Sequence, residues 1–317
     1  MKEIGGYFGL DDLAGKAFYN DLIALNTGRN ALLYLLKARR ITKLHIPYYL
    51  CDSVSGLLEK YDYEFEYYHV DQEFQPIFDN ELGQGEYLYI VNFYGQITEE
   101  KTLALQQHYG RVILDHCQAF FQRPQPGIDT IYSCRKFFGV PDGAYLATDT
   151  ILHDPLEQDL SKDRMTHLLG RNEETASEYY ADFHRNEKNL AGSPLRTMSK
   201  LTRNLMGAID YERIIKIRNE NYSYLEKQLG EDNPLKLAMP EGAFSYPLLV
   251  KDGISIRNRL AEQKIYIPLL WPNVLNDCPE ESIEYQYAAN ILPLPCDQRY
   301  RVEEMVYMAE MVKKQLI

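Results

Sequence analysis

Tryptophan is nearly absent from this chain, one residue in 317, and its five cysteines include no Cys-x-x-Cys pair. Cys51, Cys117, Cys134, Cys278 and Cys296 are odd in number and widely spaced, which argues against a disulfide framework and against a zinc knuckle. Reduced thiols in a cytoplasmic protein are the expectation. Nowhere do apolar residues run for the ~18 positions that a membrane-spanning helix needs. The opening MKEIGGYFGLDDLAG contains Asp11 and Asp12 and no long apolar stretch, so no secretion signal is expected. Basic residues are in deficit: 34 Lys and Arg against 46 Asp and Glu give a net charge of −12. A field of that sign does not steer a protein toward nucleic acid or anionic lipid. Internal repeats and low-complexity linkers are missing as well. With 45% hydrophobic and 25% charged residues, what remains is an ordinary globular chain, neither disordered, collagen-like nor coiled coil. Tyrosine alone is plentiful, at 26 residues, and polar-tipped rings suit pockets and subunit interfaces as well as plain surface.

The first half alternates short apolar runs with helical stretches. NALLYLLKARR sets Leu32, Leu35 and Leu36 on one helical face and ends in basic residues that complement the helix dipole. KLHIP reads as a strand stopped by Pro47, and SVSGLLEKY as the helix after it. EFEYYHV, YLYIV, RVILD and TIYSC are further strand-like runs. The pattern predicts an α/β domain with a mostly parallel sheet covered by helices, over residues 1–194. A polar segment near 152–192 reads as a helical insertion within it. From 195 to 317 the chain predicts a smaller α+β domain. It opens with a long helical pattern broken near Gly207, continues through strands at AFSYPLLV and KIYIPLL and a helix at ISIRNRLAEQ, and closes on the helix YRVEEMVYMAEMVKKQL.

In open α/β sheets the ligand site lies outside the carboxyl ends of the strands. The polar residues that follow the apolar runs there are Tyr48, Tyr49 and Cys51, then Asn92, Asp115, and finally Ser133, Arg135 and Lys136. Thr27 and Gly28 precede the first strong helix, where free N–H groups and the dipole favour an anion. A carboxylate for a pyridinium nitrogen, a lysine for an imine and a helix N-terminus for a phosphate are the parts that a pyridoxal phosphate site requires. Each alone has a plainer reading, as a helix cap, a solvated lysine or a helix start.

The stretches NTGRNALLYLL, HIPYYLCDSV, IVNFYGQ, VILDHCQAFF, DTIYSCRKFFGVPDGAYL, IRNENYSYLEKQL and ILPLPCDQRY occur in an order that resembles the DegT/DnrJ family of fold-type-I pyridoxal-phosphate enzymes. Its best-known members are sugar aminotransferases. The resemblance implies pyridoxal 5'-phosphate as cofactor, Lys136 as the Schiff-base lysine and Asp115 as partner of the pyridine nitrogen. Gln118 would reach the cofactor's phenolic oxygen, while Thr27, Gly28, Arg29 and Ser133 would surround its phosphate. The family stacks an aromatic ring on the cofactor from the loop after HIPYYL. Cys51 aligns with that ring, leaving Tyr48, Tyr49 or a ring from elsewhere to substitute. The implied reaction moves an amino group, from glutamate, onto a keto sugar linked to a nucleotide, in a cytoplasmic homodimer.

Some features depart from the family. The spacing between Asp115 and Lys136 is short, Pro141-Asp142-Gly143-Ala144 replaces the usual Glu-Gly-Gly, and the asparagine that reaches the phosphate from a neighbouring subunit has no counterpart. Arg196 or Arg203 lies in that last region. A lyase or racemase, or a scaffold without turnover, are the competing readings, since fold does not fix reaction type. Sugar dehydratases of the family carry histidine in place of the lysine, which Lys136 argues against. A metal held by His116, Cys117 and Cys134 would fall short of the four compact ligands that zinc wants. Two expectations of charge follow. Burial near Arg135 should lower the pKa of Lys136. An anionic substrate would need local cations, such as Arg29, Arg135 or Arg196, to offset the negative protein.

Overall fold

The computed structural model describes residues 4–13 and 15–316. Its strands in chain order are β1 (Ile23–Leu25), β2 (Lys43–Pro47), β3 (Glu64–Val70), β4 (Pro76–Ile77), β5 (Glu86–Val91), β6 (Val112–Asp115), β7 (Asp129–Ser133), β8 (Ala144–Ala147), β9 (Tyr246–Leu249) and β10 (Ile291–Leu294). The first eight form one sheet in the order β1-β8-β7-β6-β5-β2-β3-β4. The pairs from β3 through β2, β5 and β6 to β7 are parallel, and β8, β1 and β4 run antiparallel at the two sides. The central strands read as unbroken apolar runs because both faces are covered: all four residues of VILD in β6 are buried.

The covering helices of the first half are α1 (Gly28–Ala38), α2 (Asp52–Lys60) and α3 (Glu99–Tyr109). α1 is buried without interruption from Asn30 to Leu36, more completely than the single face at Leu32, Leu35 and Leu36 predicts. It lies against β7 and β8 and is also contacted by α2, so it has no solvent face over that stretch. Burying each of its leucines stabilises the fold by about 1.5–3 kcal/mol.

The polar insertion holds α4 (Thr166–Glu173) and α5 (Tyr180–Ala191). Next come α6 (Lys200–Gly207) and α7 (Tyr211–Leu229), with the break falling at Gly207 as the sequence suggests. α8 (Gly253–Glu262), α9 (Val274–Asp277), α10 (Ile283–Asn290) and α11 (Val302–Leu316) complete the chain. β9 and β10 pair antiparallel and share a core of their own with α7, α8 and α11, built from Tyr222, Leu225, Leu248, Leu260, Leu292 and Met308.

Two sequence expectations change. KIYIPLL forms no strand; Ile265 and Ile267 are buried in the small core, but the segment has no ladder partner and Pro268 has no N–H to offer one. The second half is also less separate than the pattern predicts, because Trp271, Val274 and Tyr287 pack into the large core beside β2 and β5.

Candidate active site

β6 and β7 are parallel neighbours, with Asp115 registered against Ile131, so their carboxyl ends open on the same edge. Asp115 ends β6. Lys136 closes a single 3-10 turn, Cys134–Lys136, that follows β7. The N-terminus of α1 reaches this edge as well: a Cβ on Gly28 would stand 3.4 Å from Cys117 Sγ, in ordinary contact.

The Asp115 carboxylate is buried and accepts two hydrogen bonds, from Tyr89 Oη at 2.8 Å and from the Cys117 backbone N–H at 2.7 Å. Among the described residues it has no ion-pair partner. Such a buried anion is costly unless a cation or further donors reach it, and a protonated ring nitrogen satisfies that need. The Lys136 side chain is exposed at this edge, with enough protein around it for burial to bear on its amine. Burial presses its pKa down, the Cys117 thiol and the Asp115 carboxylate press it up, Cys51 adds to them, and the net displacement is upward. The expected lowering by burial and Arg135 is therefore overturned. Burial also raises the Cys117 thiol far above its usual range.

Gln118 is buried and accepts at Oε1 from the Tyr94 N–H, at 2.8 Å. That bond fixes which end of the amide is spent and leaves Nε2 for a ligand. Tyr94 holds a left-handed backbone at φ 54°, unusual for a non-glycine residue and a sign that its neighbours impose the turn. Thr27 caps α1 and accepts from the Asn30 N–H at 3.1 Å, so its hydroxyl is engaged while the first N–H groups of the helix have no intrahelical partner. Ser133, half-buried, ends β7 beside the lysine turn.

Arg29 is half-buried and has no ion-pair partner among the described residues. Burial lowers its pKa, with Cys51 and Asp52 opposing. Arg135 is pushed down to about 10 by burial, and Arg29 and Arg164 add to the effect. Three guanidinium groups thus share one field beside Lys136. Arg135 pairs with Glu187 of α5, and Arg164 with Asp159 at 2.8 Å, so the polar insertion supplies the partners of this cluster. Arg196 is committed to Glu157 at 3.0 Å, with Asp159 at 3.8 Å, and Arg203 is exposed on α6.

The aromatic candidates separate. Tyr49 is fully buried, edge-on to Trp271 at 4.5 Å and with its hydroxyl 3.3 Å from that of Tyr94, so it backs the wall of the site and presents no face to it. Tyr48 stacks on Tyr67 at 4.7 Å. Cys51 is half-buried at the start of α2, in the same field as Lys136 and Arg29. A thiol, not a ring, therefore stands at that place in this chain. Among the described residues no three His, Cys, Asp or Glu side chains converge as metal ligands.

Sequence reasoning misses three residues here. Asn26, wholly buried, accepts from Asn30 at 2.8 Å, and its carbonyl accepts from the Gly143 N–H at 2.6 Å, tying the start of α1 to the lysine loop. Asp142 accepts from the Ser199 N–H at 2.9 Å, from the Ser199 hydroxyl at 2.7 Å and from the Thr202 hydroxyl, so it braces Ser199, the N-cap of α6. Arg218 reaches the residue after Lys136. Asn26 stands immediately before Thr27 and Gly28, which is a usable signal; Asp142 is near Lys136 in sequence but its partners on α6 are not, and Arg218 is far from both.

No protein-family model and no curated protein matches the chain. Solved structures do. A DegT DnrJ EryC1 StrS aminotransferase from Brucella abortus superposes with TM-score 0.63 at 12% identity, covering 93% of this chain and 86% of that one. NtdA from Bacillus subtilis with bound cofactor PMP gives 0.65 at 14%, over 92% and 72%. Helicobacter pylori PseC, an aminotransferase involved in the biosynthesis of pseudoaminic acid, gives 0.57 at 15%, over 92% and 86%. This chain has the fold of those aminotransferases.

Proposed function

We propose that the chain is a pyridoxal 5'-phosphate-dependent aminotransferase, which moves an amino group from glutamate onto a keto sugar carried on a nucleotide, in a cytoplasmic homodimer. The observation that carries this reading is the accessible amine of Lys136 in the field of a buried carboxylate that lacks a counter-ion among the described residues, beside the N-terminus of α1. The likeness in fold to sugar aminotransferases supports it.

Bound pyridoxal phosphate supplies an electron-withdrawing ring that weakens the C–H bond next to the substrate amine. The rest falls to the side chains of this protein. Asp115, held by Tyr89 and the Cys117 N–H, keeps the proton on the ring nitrogen. Lys136 Nζ would hold the cofactor at its aldehyde carbon and, when an incoming substrate amine takes its place there, would be the base that moves the proton at the substrate carbon. Gln118 offers Nε2 to the phenolic oxygen. Gly28 and Arg29 at the helix terminus, with Thr27 and Ser133, take the phosphate. Arg135 adds positive field for an anionic substrate. The loss of Glu-Gly-Gly does not favour a scaffold without turnover, because Asp142 braces Ser199, the N-cap of α6, and Gly143, at φ 118°, bonds Asn26.

The test is absorbance after adding pyridoxal 5'-phosphate, followed by glutamate. An imine band is expected, then its replacement by the pyridoxamine spectrum, with neither in Lys136→Ala. Because the Lys136 amine lies above its ordinary pKa, it must shed a proton before it attacks, so uptake should accelerate as pH rises above neutrality. No band in the wild type, or the same band in Lys136→Ala, removes the reading.

A further inference from the structure

The residue after Lys136 is gripped from the C-terminal half of the chain. The Phe137 carbonyl oxygen accepts from Gln298 Nε2 at 2.7 Å and from Arg218 Nη2 at 3.3 Å. Arg218 also donates through Nε to Gln298 Oε1 at 2.7 Å and through Nη1 to the Ala243 carbonyl at 2.6 Å. Its guanidinium carbon lies 4.6 Å from the centre of the Phe137 ring. One side chain of α7 therefore joins three separate segments.

This arginine is the largest fully buried side chain of the described residues, at 1% exposure. Among the described residues no carboxylate pairs with it; nearby Asp297 is engaged by Arg299 at 2.6 and 2.7 Å. Burial accordingly lowers its pKa. An apolar residue of similar volume would fill the same place without desolvating a charge, so stability alone gives no reason for a guanidinium here. Geometry does: the planar fork projects donors in fixed directions, and three of its nitrogens meet oxygens of three residues. The object it holds is also specific. The turn at Cys134–Lys136 secures its own end through the Phe137 and Phe138 N–H groups bonding the Cys134 carbonyl, at 3.1 and 2.9 Å. The Phe137 carbonyl points outward from that turn and is fixed by Arg218 and Gln298. That carbonyl belongs to the 137–138 peptide, so holding it fixes Phe137 and, through Phe137, the stretch of backbone from which the Lys136 side chain leaves.

We propose that Arg218 is a positioning residue for Lys136: with Gln298 it clamps the 137–138 peptide, one residue beyond the lysine, so the docking of α7 and the turn at Asp297 against the lysine loop sets where the amine stands. The use made of that amine rests on the aminotransferase reading; the clamp itself does not. The groups facing Lys136 are Asp115, Cys117, Cys51 and Arg135, and a displaced amine changes its distance to all four.

The experiment uses the full chain with Gln298→Met, Arg218→Lys and Arg218→Met. In cofactor-free protein, each lysine is labelled with a trace of acetic anhydride across a pH series, and peptide mass spectrometry gives the titration of Lys136 against exposed Lys162 and Lys216 as internal references. Separately, attachment of pyridoxal 5'-phosphate at Lys136 is trapped with borohydride and timed. In Gln298→Met and Arg218→Lys the Lys136 titration should fall from its raised position toward the reference lysines, and attachment should slow about 100-fold, as for a misplacement near 1 Å. Arg218→Lys keeps the charge and loses the fork, so wild-type behaviour in that variant overturns the proposal. Unchanged labelling and attachment in folded Gln298→Met overturns it too, and that variant carries the test if the Arg218 variants do not fold. If the wild type attaches no cofactor while the labelling shift appears, the aminotransferase reading fails and the clamp stands.

Discussion

His116 sits between Asp115 and Cys117, fully buried, and neither ring nitrogen has a partner among the described residues. Burial brings its pKa from 6.5 down to about 4, with Asp115 opposing. The folded chain therefore holds the neutral ring. As pH falls from 6.5 toward 4 the unfolded chain takes the proton first, so the contribution of this residue to stability is complete above that window and is lost across it. His116→Leu removes both the unpaired nitrogens and the titration. A gain of about 1–3 kcal/mol at neutral pH is expected, together with a flatter acid limb. Urea unfolding at the two ends of the window measures both, and a variant less stable than wild type at each end would sink the account.

At the scale of elements, Gly143 separates backbone need from mere space. It stands at φ 118° between β8 and the lysine loop, and an added Cβ would lie 3.0 Å from Thr202 Cγ2 and 3.2 Å from Cys134. Gly143→Ala should cost about 1–3 kcal/mol from strained backbone alone. Gly56, inside α2 with open space around it, is the contrast: Gly56→Ala should stabilise by about 1 kcal/mol. Thermal unfolding of the two variants checks the opposite signs, and two changes of the same sign would contradict the assignment. The same distinction explains what could be read beforehand. β2, β3, β5, β6 and β7 were legible because burial on both faces, or aromatic and β-branched content, marks them locally. β1, β8 and β10 span three or four residues each and owe their existence to partners far along the chain. KIYIPLL shows the converse, since apolar alternation reports burial and not a ladder. In the site, Lys136 and Asp115 could be read from their places at strand ends. Asn26 could have been, from its place before Thr27 and Gly28, but Asp142 and Arg218 could not, because each acts through a hydrogen bond to a residue at least 57 positions away.

Across the whole molecule the charge of −12 and the cluster at Arg29, Arg135 and Arg164 act against each other. The general field repels an anion, while the local one receives it, and solvent screens the first more than the second. Arg135 and Arg164 already have acidic partners, so Arg29 is the cation left for a ligand. Arg29→Gln should weaken pyridoxal 5'-phosphate by about tenfold or more, the worth of one charged hydrogen bond, and leave pyridoxal without the phosphate unchanged. Titration of both compounds against both proteins decides it: equal losses for the two would take Arg29 away from the phosphate.

The ties on the lysine loop also bear on the order of folding. Through Gly143 the loop is bonded to Asn26, through Asp142 to Ser199 and Thr202, and through Phe137 to Arg218 and Gln298. These partners span most of the chain, and contacts of such separation form only after their loop-closure entropy has been met. During synthesis the reactive amine is thus made long before the residues that orient it, and it takes its place only when the turn at Gln298 has emerged and docked. An aldehyde ligand that needs the oriented amine binds the finished fold in preference to its precursors and adds to its stability by mass action. Capture of the ligand then becomes a mark of completed folding, registered at a single nitrogen.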